Sequence, residues 1–402
     1  VEEAEKRRYD RGDIRRLNAV SVLGQLWVNG ALTRAQISER LGLTRATVSK
    51  IVADLLDVDL VKETEYIGNG AGRPGLQVEF NAGSGCLIAI ELDLDRLTLV
   101  LSNAGKETLY RKVVPFSLGT PMEECLEMAE GLVGEALEKG LASHGRCFGI
   151  CLAWSGLVNR EEGELAYGPT FGWKNVPVKE RWESKFNVPV YVENEAHAGA
   201  MGAHHSGEGK GKRNLIFLSQ GVGLGAGVIV DGVLLRGKQG FAGQVGHTHF
   251  AANGITCTCG NAGCWVTEIG AAAIVRKLEA RGINFSDEEK AGTTWVERLL
   301  NESGEGESDT RAVLQEVGFQ TGLGLAKLVH TFNPSTIIIG GRMAKLLKVV
   351  ESSIRKGLDE GVLPHMKEHL DLHISDSGED QLQGCLDSIL ESVLKDPPLG
   401  EQ

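Results

Sequence analysis

Cys257, Cys259 and Cys264 fall within eight residues, interleaved with Gly260 and Gly263, and His247 stands ten residues upstream of the first. Thiolates this dense in a chain that is not a small disulfide framework are metal ligands more often than bridges. Three Cys with one His form a closed tetrahedral zinc set, leaving no position for a catalytic water. The chemistry expected is therefore structural, with zinc fixing a loop. His249 competes with His247 for the fourth place. The glycines and Asn261 mark a turn, so buried apolar thiols are a poor account of the segment. Cys86, Cys125, Cys147, Cys151 and Cys385 are scattered and read as reduced core thiols.

A second set lies near the N-terminus: Arg45, Thr47, Ser49 and Lys50, four groups within six residues. Arginine can read a guanine edge, hydroxyls can meet base edges or phosphate, and lysine can neutralise a phosphate.

Each set needs elements to carry it. Residues 13–29 read as one amphipathic helix, with Ile14, Leu17, Val20 or Ser21, Leu23 or Gly24, and Trp27 on its inward stripe. Thr33 followed by Gln36 is a capping-box pattern opening a second helix, which Gly42 ends. Thr44 caps a third, with Val48, Ile51, Val52, Leu55 and Leu56 turned inward. Two short helices joined through a glycine turn make a helix-turn-helix, in which the early residues of the second helix enter the DNA major groove. The stretch that follows reads as strand, glycine-rich turn and strand, with Arg73 at the tip: a wing. A helix pair can also be a plain packing unit. The charge balance, the small polar groove-facing residues and the arginine-tipped wing together favour DNA.

That balance is asymmetric. The chain has 402 residues and a formal charge of -12, yet residues 1–50 carry a net +4 and residues 1–80 sum to zero, so residues 81–402 hold the whole excess. A basic front on an acidic body suits a nucleic-acid-facing head and a body without general affinity for polyanions. Length permits two or three domains, and the 53 glycines, about twice the usual ~7% share, announce many tight turns and close backbone approaches. No apolar run approaches the ~18 residues of a membrane span, and the charged N-terminus is unlike a signal peptide, so the expectation is a cytoplasmic protein with no membrane partner.

From residue 86 strands alternate with helices, which argues an α/β body. Residues 86–106 and 214–233 both read as strand, turn, strand, turn, a faint repeat expected of two similar lobes facing across a cleft. Between and after them the pattern places helices at 121–143, 266–282, 309–331, 343–360 and 381–395, and strands at 147–154, 189–193 and 336–339.

The spacing H-x9-C-x-C-G-x2-G-C resembles the zinc signature of the ROK family (repressors, open reading frames and kinases). Further matches are Ser155-Gly156 and the Gly172–Pro177 stretch, similar to sugar-lining loops; Glu193-Asn194-Glu195-Ala196, similar to the catalytic turn; Gly221 to Gly227, similar to a phosphate loop; and Gly340-Gly341, similar to the nucleotide-side turn. Gly72-Arg73-Pro74-Gly75 resembles the wing turn of the family's repressors. The resemblance spans roughly residues 10–390. It implies an α/β chain with an N-terminal winged helix-turn-helix domain (1–82) followed by a two-lobed actin-like sugar-kinase fold (83–402). It also implies sugar contacts from Ser155, Asn175, Asn194, Glu195, Gln244 and His247, the last shared with the metal.

The family includes both kinases and repressors, and the residues favour the second. The kinases' base is the aspartate of an Asn-Asp pair; here it is Glu195, one methylene longer, and an ångström of misplacement can cost on the order of a hundredfold. Where they carry an Asp-x-Gly-Gly-Thr turn, this chain has Glu91-Leu92-Asp93-Leu94-Asp95, in which bulk replaces glycine and added carboxylates should repel polyphosphate. The family's Gly-Glu-x-Gly-His turn appears with Gln244, and the glutamate usual two residues after the last zinc cysteine is Val266, so the sugar should differ in size or substitution. The expectation is a regulator without kinase activity, of the xylose-responsive type. Its partners would be a palindromic double-stranded DNA operator, a sugar effector and its own copies, as a dimer or dimer of dimers. The alternatives are a sugar kinase with an added head and a constitutive DNA-binding protein with a degenerate sugar site.

Overall fold

The computed structural model describes residues 11–65, 76–93, 95–117, 119–169, 171–221, 223–291, 294–302, 308–375 and 378–399. The chain opens with α1 (Arg11–Asn29), β1 (Leu32–Thr33), α2 (Arg34–Leu41), α3 (Arg45–Asp57), β2 (Val61–Glu65) and β3 (Leu76–Phe80). The capping box at Thr33 and Gln36 is formed in full, Gly42 closes α2 in the left-handed region, and Thr44 caps α3. The three short strands pair in the order β1-β3-β2, a wing sheet tied to α2 by an ion pair between Arg34 and Glu63. Arg73 and the Gly72–Gly75 turn lie outside the described residues.

The inward face of α1 differs from the expected stripe. Ala19, Val22, Leu23 and Leu26 are buried, whereas Ile14 and Leu17 are each 51% exposed. Arg15 accounts for the rotation. It donates to the buried Asp54 of α3 at 2.6 Å, and the face that carries it also carries residues 19, 22, 23 and 26.

The first lobe comprises β4 (Cys86–Leu92), β5 (Arg96–Asn103), β6 (Thr108–Pro115), α4 (Met122–His144), β7 (Cys147–Trp154), β8 (Leu157–Asn159), β9 (Glu164–Gly168), β10 (Trp173–Val176), α5 (Val178–Phe186) and β11 (Val190–Asn194); α6 (Glu195–His205) follows and lays Ala200 and Ala203 against Leu215, Phe217, Ile229 and Ile338 of the second lobe. The second comprises β12 (Leu215–Gln220), β13 (Leu224–Val230), β14 (Val233–Leu234), α7 (Val266–Ile269), α8 (Ala271–Glu279), α9 (Asp287–Ala291), α10 (Thr294–Glu302), α11 (Asp309–Phe332), β15 (Thr336–Gly340), α12 (Ala344–Lys348), α13 (Glu351–Gly361), α14 (Pro364–Lys367) and β16 (Asp371–Ile374). The chain closes with α15 (Asp380–Lys395).

The repeat seen in the sequence is a repeat of topology. One five-stranded sheet runs β6-β5-β4-β7-β11 and the other β14-β13-β12-β15-β16; in each, the first three strands are antiparallel and the last two join in parallel. The expected helices 266–282 and 343–360 are each broken, the first at Gly270, which is extended at φ -67°, ψ 171°.

One core fills the second lobe and another lies between the first sheet and α4 and α5. A third is continuous from the head into the body: Ala19, Val22, Leu23 and Leu26 of α1 belong to the same buried cluster as Leu386, Ile389, Leu390 and Val393 of α15. Arg146 adds a hydrogen bond to the Val58 carbonyl, and Arg16 pairs with Asp396. Cys86, Cys125, Cys147, Cys151 and Cys385 are free and buried, as core thiols should be. Among the described residues, no helix is long and apolar enough to cross a membrane.

Candidate functional site

His247, Cys257, Cys259 and Cys264 converge, with their ligand atoms all within 4.8 Å of one another. Cys257 Sγ lies 3.6 Å from His247 Nδ1, and Cys259 Sγ lies 3.6 Å from Cys264 Sγ. Sulfurs bound tetrahedrally to one zinc at about 2.3 Å stand roughly 3.8 Å apart, so the spacing fits such an ion. His249 does not join the set; it is exposed, with its ring near the Ala262 carbonyl. Glycine makes the loop possible. Gly263 has φ 72°, and a Cβ there would lie 2.0 Å from the Ala251 carbonyl oxygen.

The metal loop is one wall of a cavity of about 280 Å³ lined by Ser155, Gly156, Leu157, Tyr167, Pro169, Asn194, Glu195, Gly223, Leu224, Gly225, Gln244, His247, Cys259 and Asn261. This is near the lower limit of small-molecule sites, roughly 300 Å³. Five of the six expected sugar contacts meet here: Ser155, Asn194, Glu195, Gln244 and His247. Asn175 is the exception. It stands exposed on β10, the outer strand of the β10-β9-β8 flap, at φ 52°, and the inward positions of that strand are Trp173 and Val176.

Local geometry aims each group. Asn194 ends β11 and caps α6, its Oδ1 accepting from the N–H of Ala196 and His197 while its Nδ2 donates to the Gly156 carbonyl at 2.8 Å. Its side chain keeps one N–H for a ligand. Gln244 follows Gly243, which sits at φ 88° against the Ala226 carbonyl where a Cβ would have no room. Burial, and then the charge of Asp93, push the Glu195 carboxyl up to about 7, partly offset by hydrogen bonds from Ser155 and Ser219. Such a carboxyl can hydrogen-bond a hydroxyl in either protonation state.

Beside this cavity a second cleft of about 270 Å³ runs between the acidic turn after β4 and the Gly340-Gly341 turn after β15. Arg342 crosses it, donating through Nη1 to Asp93 Oδ2 at 2.6 Å and Asp95 Oδ1 at 2.7 Å. The expectation of bare carboxylates is thereby corrected: the two aspartates are held by a cation of the same chain, which spans the cleft. Glu91 has no such cation of its own. Burial, then Asp93 and Glu195, push its carboxyl up to about 8 against the pull of Arg342 and Arg96. The position of Arg342 after two glycines was open to sequence reading; its partners, some 250 residues away, were not.

Glu193, read in the sequence only as the first residue of the Glu193–Ala196 turn, is buried beneath the cavity between Arg160 and Arg236, partners that the sequence did not announce. Burial works to raise its carboxyl, and the two guanidinium groups overcome this and hold it down to about 2.

On the head, Arg45, Ala46, Ser49 and Lys50 lie on the exposed side of α3. Thr47 is half-buried, its Oγ 2.8 Å from Thr44 Oγ, so it also serves the start of the helix.

Comparison with known proteins yields two family matches: a ROK family model over residues 87–386 and a MarR family model over residues 15–66. The chain is 30% identical over 390 residues to a xylose repressor of Caldicellulosiruptor bescii, covering 96% of this chain and 98% of that one. A crystal structure of a ROK family transcriptional regulator, a homologue of the Escherichia coli MLC protein, superposes with TM-score 0.81 at 25% identity, over 95% of this chain and 98% of that one. A ROK family glucokinase from Streptomyces griseus shares the fold with TM-score 0.63 at 24% identity; 76% of this chain accounts for 99% of the kinase.

Proposed function

This chain belongs to the ROK family, and from that premise we propose that it is a sugar-responsive DNA-binding transcriptional repressor without kinase activity. The observation that carries the choice is Arg342, held by Asp93 and Asp95 in the cleft where phosphoryl transfer would need a polyphosphate. Glu195 can accept a proton, but the neighbouring cleft presents a bound ion pair and no glycine cradle for the phosphates of a donor. What remains is recognition.

Residues 1–82 form the DNA-binding head and residues 83–402 the sugar-binding and assembly body. In the head, Arg45, Thr47, Ser49 and Lys50 contact the operator from α3, and Arg73, outside the described residues, adds a contact to phosphate or the minor groove. In the body, Ser155, Asn194, Glu195, Gln244 and His247 hold the effector, a monosaccharide of the xylose class. His247, Cys257, Cys259 and Cys264 would hold a structural zinc, which would tie the loop down without acting on a substrate, and His247, whose Nδ1 faces Cys257, also lines the cavity. The active species is a cytoplasmic dimer, or dimer of dimers, placing two heads on a palindrome, and sugar alters the spacing of those heads.

The deciding experiment is selection of binding sites from random duplexes, then fluorescence anisotropy on the recovered site with and without pentoses and hexoses, at fixed salt. An enriched palindrome whose affinity one sugar shifts supports the proposal. Turnover of ATP with a sugar, and no enriched sequence, would overturn it in favour of a kinase.

A further inference from the structure

Glu193, 1% exposed, joins four parts of the molecule through one carboxylate. Its Oε1 accepts from Arg160 Nε at 2.6 Å and from Ser388 Oγ at 2.8 Å, and its Oε2 accepts from Arg236 Nη1 at 2.6 Å. Arg160 also donates to Ser388 Oγ at 3.4 Å, so the two partners of Oε1 are themselves linked.

Three of these residues stand directly behind the cavity walls. Glu193 precedes Asn194 and Glu195. Arg160 follows β8, whose Leu157 lines the cavity from the first lobe. Arg236 opens the second-lobe loop that runs to Gln244 and His247, and the Ala242 carbonyl in that loop meets His197 Nε2 of α6 at 3.0 Å. The fourth residue, Ser388, belongs to α15, which contributes nothing to the lining of this cavity. Besides packing on α6 and the first sheet, α15 reaches the head: Leu386, Ile389, Leu390 and Val393 share a core with Ala19, Val22, Leu23 and Leu26 of α1.

A buried carboxylate satisfied by two guanidinium groups and a hydroxyl cannot release one partner without leaving charge uncompensated in a poorly solvated place. The four residues therefore move together. Displacement of the first-lobe wall reaches α15 through the hydrogen bonds that join Glu193 and Arg160 to Ser388, displacement of the second-lobe wall reaches it through Arg236 and Glu193, and α15 shares a buried core with α1.

We propose that Glu193 is a positioning residue for the response to sugar, converting closure of the two cavity walls through Ser388 into a displacement of α15 and the head. This rests on the sugar-responsive reading above. The linkage quantity is the ratio of operator dissociation constants with and without sugar, which a merely structural residue would leave unchanged.

The test uses the full chain, its selected operator duplex, and D-xylose and D-glucose as probes. Operator affinity is read by anisotropy and sugar affinity by calorimetry for the wild type, Ser388→Ala and Arg160→Gln, with melting curves confirming that each is folded. For Ser388→Ala we expect sugar affinity and sugar-free operator affinity within about twofold of the wild type, and the ratio reduced at least about threefold. Arg160→Gln, which cuts the same junction from the other side, lowers the ratio likewise. A wild type that responds and variants that respond equally would overturn this inference alone. Operator and sugar affinities that weaken together at an unchanged ratio would reduce Glu193 to a structural anchor, also overturning it. A wild type that binds its operator with no response to either sugar removes the sugar-responsive reading for these probes, and the inference with it.

Discussion

Arg342 and Asp93 stand on facing turns of the two lobes, 249 residues apart in the chain, and meet through a 2.6 Å hydrogen bond from Nη1 to Oδ2. Arg342→Ala leaves Asp93 and Asp95 beside Glu91 and Glu195 without their shared cation. We predict a loss of about 2 kcal/mol in urea unfolding, below the usual range for a broken buried pair because both groups keep some solvent contact. The variant gains no ATP turnover, since the cradle glycines are still missing; a coupled nucleotide assay checks this.

The metal loop predicts one zinc per chain by elemental analysis, and a lower melting temperature after chelation or in Cys264→Ser. Because His247, Cys259 and Asn261 line the cavity, the same treatments should remove sugar binding measured by calorimetry while sparing sugar-free operator binding.

In the head, Arg45→Ala should cost about 1–3 kcal/mol of operator affinity and relax selectivity at one base pair, whereas Lys50→Ala should weaken all duplexes alike and lower the salt slope by about 1. Anisotropy titrations over a salt series on the selected site and on single-base variants distinguish the two.

Stability should depend on pH through Glu91 and Glu195. Both carboxyls are raised in the folded chain, to about 8 and about 7 from an ordinary 4.5, so between 4.5 and 8 the folded state binds more protons than the unfolded. Their effect is that stability falls as pH rises through that window. Glu193, held down to about 2, acts with the opposite sign, its contribution being lost as pH falls below 4.5. Urea midpoints from pH 5 to 8 should fall less steeply in Glu91→Gln than in the wild type.

Much of this architecture was legible because its signals are local. Thr33 and Gln36 lie three residues apart and form the expected capping box; Cys147–Trp154 is a strand at its expected limits; the three cysteines of the cluster follow from spacing, while the choice of His247 over His249 needed the fold. The two strand-turn-strand stretches pointed to duplicate lobes because each opens its sheet. What escaped depends on distance or on a partner. The inward face of α1 is set by Arg15 reaching Asp54, 39 residues on, and periodicity alone placed Ile14 and Leu17 inside. The flap strand carrying Asn175 is short and follows no alternation, so its outward turn was invisible. Glu193 looked like one more residue of a strand end until its partners at 160, 236 and 388 were brought to it.

The core shared by α1 and α15 bears on how such heads can be exchanged between proteins. Residues 1–82 look like a cassette, but cutting there opens the core that α1 shares with α15 at the other end of the chain. A functional graft would have to transplant the closing helix along with the head. Chimeras joined only at the linker would inherit the donor's operator preference together with an exposed greasy seam, and should be recovered as aggregates rather than as reprogrammed switches.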